Sequence, residues 1–265
     1  MKNKIISLLL TAIMIVTLIP GTAFAKTYGG EFDSKTTDPN GKPYTCVWIF
    51  DEVSATLYVE GVGTLPEFTA TTAPWAAHKD KVVSLVIEEG ITTVGKRGFC
   101  NLSKLKNISF PSSLTKIDMR GFEYCTALET VTIPGNVKSV AAQVFLGCTS
   151  LKTAIFEEGV TAMNEYMFGN CKNLTDVYVY DKNAIISRAR SNQDDGVWFR
   201  GCNYDILTAH CYKGTDADKY FSQDIYTITN WSNGLGNKVS GLTFAEKPNS
   251  LTANGYKLKV EYITD

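Results

Sequence analysis

Histidine is scarce in this sequence, which has only His78 and His210 among 265 residues. The motifs G-x-S-x-G and H-E-x-x-H and a glycine-rich phosphate-binding loop are also absent. Because nucleophilic, metal-dependent and phosphate-transfer enzymes rely on such motifs, their absence argues against catalysis. We therefore predict a protein that is not an enzyme and needs no cofactor, with a secreted hydrolase as the least favoured alternative.

Metal and nucleic-acid sites have equally little support. No C-x-x-C occurs, and two histidines are few for a zinc site. Basic residues are interspersed with acids and form no patch, so we expect no nucleic-acid partner. The segment Asp194–Gly196 could offer oxygen ligands to calcium, but a solvated turn explains it better. The pairs Glu88–Glu89 and Glu157–Glu158 are interpreted as turn-forming acids on a rim rather than as a hydrolytic carboxylate pair.

The long apolar run of this chain lies at its amino terminus. Lys2 and Lys4 precede a run from Ile5 to Ile19, and Ala23-Phe24-Ala25 supplies small residues at both cleavage-site positions. We predict a signal peptide over residues 1–25 and a secreted or cell-surface protein. A membrane anchor is the alternative, but this run is shorter than the roughly 20 residues that a span needs. We expect no membrane span after cleavage.

One pattern recurs along the rest of the chain. Phe99, Phe122, Phe145 and Phe168 are spaced 23 residues apart, and the same seven apolar slots surround each of them. In the clearest copy these slots hold Leu105, Ile108, Phe110, Leu114, Ile117, Phe122 and Cys125. A later copy reaches Phe199 eight residues late, which predicts an inserted loop over residues 187–196.

The spacing of the slots predicts one short strand and a return in each copy. The fourth and sixth slots flank one outward residue, as in a strand, and the others are too far apart for one helix face. Repeats of roughly 20 to 29 residues with one strand each are typical of leucine-rich solenoids, whose coils complete their core by stacking. We predict a β-rich repeat solenoid, a curved stack whose short strands form one parallel sheet.

Seven cysteines in an exported chain usually indicate disulfides, with one left over. Four of them instead hold one slot of the repeat, which Leu102 fills in the first copy; they are Cys125, Cys148, Cys171 and Cys202. This exchange indicates a column of buried free thiols that act as small hydrophobic groups. Cys202 and Cys211 are the pair to test first for a bridge.

The pattern L-x-x-I-x-I-P-x-x-V…F-x-x-C-x-x-L is complete from Leu128 to Leu151. It resembles the bacterial BspA-like (Treponema-type) leucine-rich repeat over about residues 82–205. The segment from Trp48 to Trp75 is similar to the amino-terminal cap that often precedes such repeats. The resemblance implies an exported protein that adheres to host proteins or to other microbes.

The flanks of the repeat predict its caps. Cys46–Phe50 and Ala55–Glu60 are β-rich runs that predict a hairpin. Leu207–Tyr212 predicts a closing strand, and Gly214–Phe221 predicts a short helix with Thr215 or Asp216 as N-cap. The predicted domains are a cap over residues 26–80, a solenoid with its closing coil over 81–226, and a linker with a possible fragment of a further domain over 227–265.

The outward strand positions are the first candidate for ligand binding. They lie between the buried slots and are predicted to form two parallel columns. The candidates are Asn107, Ser109, Thr130, Thr132, Thr153, Ile155, Asp176 and Tyr178. Solenoids present such faces to extended partners, although Thr and Ser also suit a strand surface that is merely soluble.

The inserted loop is the second candidate, through Arg188, Arg190, Asp194 and Trp198. We predict a protein or glycan ligand on a host or microbial surface. A structural spacer or cell-envelope assembly module is the alternative function, because the solenoid could instead hold a further domain at a distance.

Overall fold

The computed structural model of this chain describes residues 27–187, 198–203, 205–222, 224–226 and 255–264. Its strands are β1 (Thr27–Thr37), β2 (Pro43–Asp51), β3 (Thr56–Glu60), β4 (Gly63–Thr64), β5 (Ser84–Ile87), β6 (Ile91–Val94), β7 (Asn107–Ser109), β8 (Lys116–Ile117), β9 (Thr130–Ile133), β10 (Ser139–Val140), β11 (Thr153–Phe156), β12 (Ala162–Met163), β13 (Asp176–Val179), β14 (Ile185–Ile186), β15 (Thr208–Cys211), β16 (Asp224–Tyr226), β17 (Gly255–Lys257) and β18 (Lys259–Tyr262). The chain also forms a 3₁₀ turn, Ala76–His78, and an α-helix, α1 (Asp216–Phe221).

The predicted β-rich coil stack is present, but each coil has two strands rather than one. The longer strands β5, β7, β9, β11, β13 and β15 carry the predicted alternation, and the short return strands form a second parallel sheet in the order β14-β12-β10-β8-β6-β4. Most return strands are two residues long, as in Lys116–Ile117, with one apolar slot each. A strand of two residues is too short to show an alternation of apolar and polar residues in the sequence. The return strands were therefore not predicted.

The long strands form two sheets rather than the one that we predicted. One has the order β1-β2-β3-β5-β7 and the other β18-β15-β13-β11-β9. In other coils the residue after the strand donates its N–H to the preceding coil, as Glu157 does to Ile133 O at 3.1 Å. Pro111 and Pro134 stand at this position and have no N–H to donate. β7 therefore lacks this bond to β5 and to β9; it still pairs with β5, and the ladder breaks between β7 and β9.

The core is a column of stacked aromatic rings. Phe99 and Phe122 have ring centroids 5.7 Å apart, and the next two steps, to Phe145 and then to Phe168, are both 5.8 Å. Phe168 stacks on Phe199 at 6.0 Å with the planes 10° apart, so the inserted loop does not interrupt the column. Every ring in it is fully buried.

The column is capped at both ends. Trp75 stacks on Phe99 at 5.2 Å, and Phe221 of α1 lies 6.0 Å from Phe199. The helix begins as predicted, because the Thr215 side chain accepts the Asp218 N–H. Asp216 accepts the Ile186 N–H at 2.9 Å, which satisfies a backbone group at the open edge of the return sheet.

A backbone turn of fixed conformation surrounds each phenylalanine. The residues two before and two after Phe122 both have positive φ, Arg120 at 61° and Tyr124 at 59°, and both positions repeat along the column. Non-glycine residues rarely adopt this conformation. Hydrogen bonds between coils offset the strain of this turn. Phe122 donates its N–H to Val144 O at 3.0 Å, and Phe145 donates its N–H to Met167 O at 3.0 Å.

The cysteine slot has a polar role that the sequence did not reveal. Each thiol lies within hydrogen-bonding distance of the carbonyl of the phenylalanine one coil back, as Cys148 Sγ does from Phe122 O at 3.3 Å and Cys171 Sγ from Phe145 O at 3.1 Å. Leu102 fills the slot in the first coil and has no thiol to donate. In the later coils the slot holds a small apolar group that can also donate to a carbonyl.

All seven cysteines are free, including Cys202 and Cys211, so the predicted thiol column is confirmed. Burial raises the pKa of the Cys148 thiol to about 12, and it raises the pKa of Cys125 and Cys171 well above the ordinary value. Since the thiolate is the reactive form, these groups are protected from oxidation and alkylation in the folded protein.

The amino-terminal cap has three antiparallel strands rather than the predicted hairpin. β2 pairs with β3 as expected, and β1 pairs with the other edge of β2. β1 is largely exposed on both faces and includes Gly29 and Gly30, so it lacks the apolar alternation that reveals a strand in sequence. Ser34 of β1 donates to Val62 O and Thr64 O, which ties it to the first return strand.

The carboxyl-terminal segment returns to the solenoid. β18 pairs in parallel with β15, and β17 pairs antiparallel with β16. The segment 227–265, predicted as a linker with a possible fragment of a further domain, thus includes the last strand of the solenoid's own sheet. The predicted domain boundaries remain predictions.

We predict that native protein at pH 8 does not react with Ellman's reagent at Cys125, Cys148 or Cys171 within minutes. With a pKa of about 12, roughly one Cys148 thiol in ten thousand is ionised at this pH. In denaturant without reductant, all seven cysteines should react. A total of five would reveal a disulfide, and fast native labelling of Cys148 would contradict the buried thiol column.

Candidate functional site

The outward side chains of the long strands form one surface, which we call the outer strand face. Its residues lie opposite one another in successive coils, with Thr153 between Thr130 and Asp176 and with Ile155 between Thr132 and Tyr178. The first column is Ser84 and Asn107, then, beyond the break between β7 and β9, Thr130, Thr153, Asp176, the buried Thr208 and Lys259; the second is Val86 and Ser109, then Thr132, Ile155, Tyr178, His210 and Glu261. The predicted columns are therefore present, and β15 and β18 extend them by two strands.

The middle of this face consists of small polar side chains. Thr130 and Thr132 are exposed, as are Asn107 and Ser109 in the coil before. Asn107 donates to Ser84 Oγ at 3.3 Å, so polar contacts run from coil to coil along the column. This section offers hydroxyl and amide groups without charge, at the strand spacing of about 4.8 Å.

The carboxyl-terminal end of the face is a cluster of ionisable groups. His210 Nε2 lies 2.8 Å from Asp176 Oδ1, and His210 Nδ1 lies 3.5 Å from Glu261 Oε2. With its proton on Nε2 the imidazole donates to Asp176, whereas the doubly protonated ring faces a carboxylate on each side. Lys259 Nζ holds the other oxygen of Glu261 at 2.6 Å. We call these residues, with Tyr178 and Tyr180, the end cluster.

Two tyrosines give the end cluster an aromatic surface. Tyr178 stacks on the His210 ring at 4.1 Å, with the ring planes 8° apart. Tyr180, two residues further along the strand, lies 6.0 Å from Tyr178 with its plane only 7° away. Desolvation, followed by the Asp176 charge, raises the pKa of the Tyr178 hydroxyl, which therefore stays protonated as a donor. Tyr180 is 37% exposed and forms the accessible part of the pair.

The four candidates of the inserted loop do not lie on the outer strand face in the described structure. Arg188, Arg190 and Asp194 lie outside the described residues. Trp198 is fully buried, with its ring against Phe168 and Phe221, so its predicted role in ligand contact is wrong. The chain has re-entered the core by this point, because Trp198 O accepts the Phe168 N–H at 2.9 Å.

Four members of the end cluster were not predicted as site residues: Tyr180, His210, Lys259 and Glu261. His210 lies half-buried in β15, and strand alternation alone does not reveal its neighbours. Lys259 and Glu261 are separated from β15 in sequence by a long segment. The alternating charges of Lys-Leu-Lys-Val-Glu were the available signal, and only the pairing of β18 with β15 gives them a place on the face.

Other chemistry has no comparable support. Among the described residues, no group of three or more His, Cys, Asp or Glu side chains is placed to hold a metal ion. The described helices include none long and apolar enough to cross a membrane. Glu89 acts as a turn-forming acid, since its carboxylate accepts the Ser112 N–H at 2.7 Å and the Ser113 N–H at 3.1 Å across to the next coil.

A stack of short coils with parallel strands, a buried aromatic column and an exposed strand face defines a repeat solenoid of the leucine-rich class. The family model described as a BspA type leucine rich repeat region matches residues 76–193 in six copies. These residues therefore belong to the BspA-type leucine-rich repeat family.

Several solved structures are similar to this chain. A leucine-rich repeat protein from Eubacterium ventriosum is 16% identical with a TM-score of 0.45, and the match covers 59% of this chain and 45% of that one. The T. pallidum leucine rich repeat protein is 14% identical with a TM-score of 0.41, over 71% of this chain and 87% of that one. A leucine rich cell surface protein from Faecalibacterium prausnitzii is 20% identical with a TM-score of 0.39, over 63% and 51%. No curated protein sequence matches the chain.

We predict that His210→Ala loosens β18 from β15. The substitution removes the contact with Glu261 across the β15–β18 pair, worth roughly 0.2–1 kcal/mol, and the stack that holds the His210 ring against Tyr178 of β13. Hydrogen exchange of the β18 amides should become about two- to fivefold faster, while the β9 amides serve as an internal control and stay unchanged. Unaltered exchange in β18 would show that backbone pairing alone holds this strand.

Proposed function

We propose that this chain is an exported protein-binding scaffold that captures a protein ligand on its outer strand face. Leucine-rich repeat regions generally serve as interaction scaffolds, and BspA-type members are often secreted or displayed on the surface. The predicted signal peptide over residues 1–25 supports export. Adhesion to a host or microbial surface is the role that the family resemblance favours.

The single observation that carries this proposal is the uninterrupted pair of side-chain columns. From Thr130 to Glu261 the outward residues of five strands stay in parallel register. A face of this kind presents many side chains to one extended partner, at a spacing that the backbone fixes. An aromatic pair, Tyr178 and Tyr180, lies toward its carboxyl-terminal end, and the stack on His210 holds Tyr178 in place. Pre-ordered aromatic side chains with polar tips are frequent anchors in protein interfaces.

The proposal predicts that the triple variant Thr130→Lys, Thr153→Lys, Tyr178→Lys loses ligand capture while the protein stays folded, with a melting temperature lower by no more than the few degrees that loss of the Tyr178–His210 stack predicts. All three side chains lie on the outer strand face, so the changes alter the surface and leave the core intact. Capture is measured by binding of mature protein to immobilised extracellular-matrix and bacterial surface proteins, with each captured partner identified.

A matched control replaces two threonines and one tyrosine elsewhere on the molecule. Thr115→Lys, Thr161→Lys, Tyr124→Lys adds the same charge at exposed positions outside the outer strand face. The control should capture ligand as the wild type does. Equal capture by both triple variants would place the binding surface elsewhere and contradict the proposal.

A further inference from the structure

The charges of the outer strand face are strongly one-sided. The residue that follows each long strand, two positions beyond the second column, adds a third outward position, which Glu88, Glu157 and Tyr180 occupy with exposed side chains. Across the three columns the described acids are Glu88, Glu157, Asp176 and Glu261, and the one described lysine or arginine is Lys259. Four acids against one base leave this face with a formal charge of −3, counting His210 as neutral.

The base is already engaged, and two of the four acids, Glu88 and Glu157, are not. Lys259 is held by Glu261 at 2.6 Å. Asp176 uses one oxygen on His210, yet its side chain stays 34% exposed. Glu88 and Glu157 are exposed and make no ion pair with any residue that the structure describes. The face therefore carries uncompensated negative charge, much of it at or beside the end cluster, and repels anionic ligands such as nucleic acids and sulfated glycans.

The tyrosine pair lies within this acidic surround. Tyr180 follows β13 and donates its N–H to Phe156 O, so Glu157 stands directly across from it in the neighbouring coil. Asp176 precedes Tyr178 by two residues on the same strand and therefore shares its face. Two nearly parallel aromatic rings with a carboxylate on either side suit a planar cation, because a guanidinium stacks on aromatic rings and bonds to carboxylates in its plane.

We propose that the partner of the outer strand face is a basic, extended polypeptide segment, with an arginine side chain seated on Tyr178 and Tyr180 between Asp176 and Glu157. This inference rests on the proposed function and names the chemistry of its ligand. The remaining residues of the segment run across the neutral hydroxyl section around Thr130 and Thr132, where backbone and side-chain hydrogen bonds need no charge.

The test uses mature full-length protein and three synthetic peptides of 12 residues. In the first peptide Arg alternates with Thr. In the two matched peptides, every Arg is replaced by Gln or by Glu. Affinities are measured by fluorescence anisotropy at low and at physiological salt. We expect the Arg peptide to bind at least about tenfold more tightly than the Gln peptide, with an affinity that falls as salt rises. The Glu peptide should bind weakest.

Two charge-neutralised variants locate the site. Glu157→Gln with Asp176→Asn should weaken binding of the Arg peptide about tenfold and remove most of its salt dependence. The control, Glu67→Gln with Asp205→Asn, makes the same charge change at exposed positions outside the face and should bind as the wild type does. Equal weakening by both variants would reveal non-specific charge attraction and overturn the proposal.

The remaining outcomes separate this inference from the proposed function. Equal binding of the Arg and Gln peptides, lost in the Thr130, Thr153 and Tyr178 triple lysine variant, would overturn the basic partner and leave the binding face intact. Peptide binding that the triple variant does not alter would overturn both. Binding of a neutral oligosaccharide that Tyr178→Ala abolishes, with no peptide bound, would replace the basic partner with a glycan.

Discussion

The stacking of one phenylalanine per coil is the interaction on which the rest of this structure depends. Each ring lies 5.7–6.0 Å from the next, from Phe99 to Phe199. The same residue joins the coils through its backbone, since its N–H donates to the following coil and its carbonyl accepts the thiol of that coil. Ring, amide and carbonyl together hold each coil in one register relative to its neighbours.

That register decides the chemistry of the opposite surface. In a strand with a side-chain period of two, a slip by one residue would bring Val131 and Ala154 to the outside and bury Thr132 and Ile155. The buried phenylalanine column therefore specifies which side chains a ligand meets, although it contacts none of them. The caps also protect the phenylalanine column. Trp75 and Phe221 cover its two ends and leave no aromatic face of the column open to solvent.

The features that repeat in every coil could be predicted from the sequence, and the features that occur only once could not. The phenylalanine period, the buried thiols and the Thr215 cap follow from spacing and local chemistry, so they were predictable. The break between β7 and β9 and the burial of Trp198 in the core after the insertion each occur once, so neither follows from a period. The end cluster needed the pairing of β18 with β15, a long-range contact that carries no sequence signal of its own.

The stacking claim is tested most directly by a double-mutant cycle on the free energy of unfolding, with Phe122→Leu and Phe145→Leu alone and together. Adjacent rings should show a coupling energy of about 0.5–1.5 kcal/mol, in keeping with aromatic pairs elsewhere. The same cycle for Phe122 and Phe168, which are separated by the Phe145 ring, should give a coupling near zero. Additive effects in the adjacent pair would contradict the account, since the coils would then be held in register without any contribution from ring stacking.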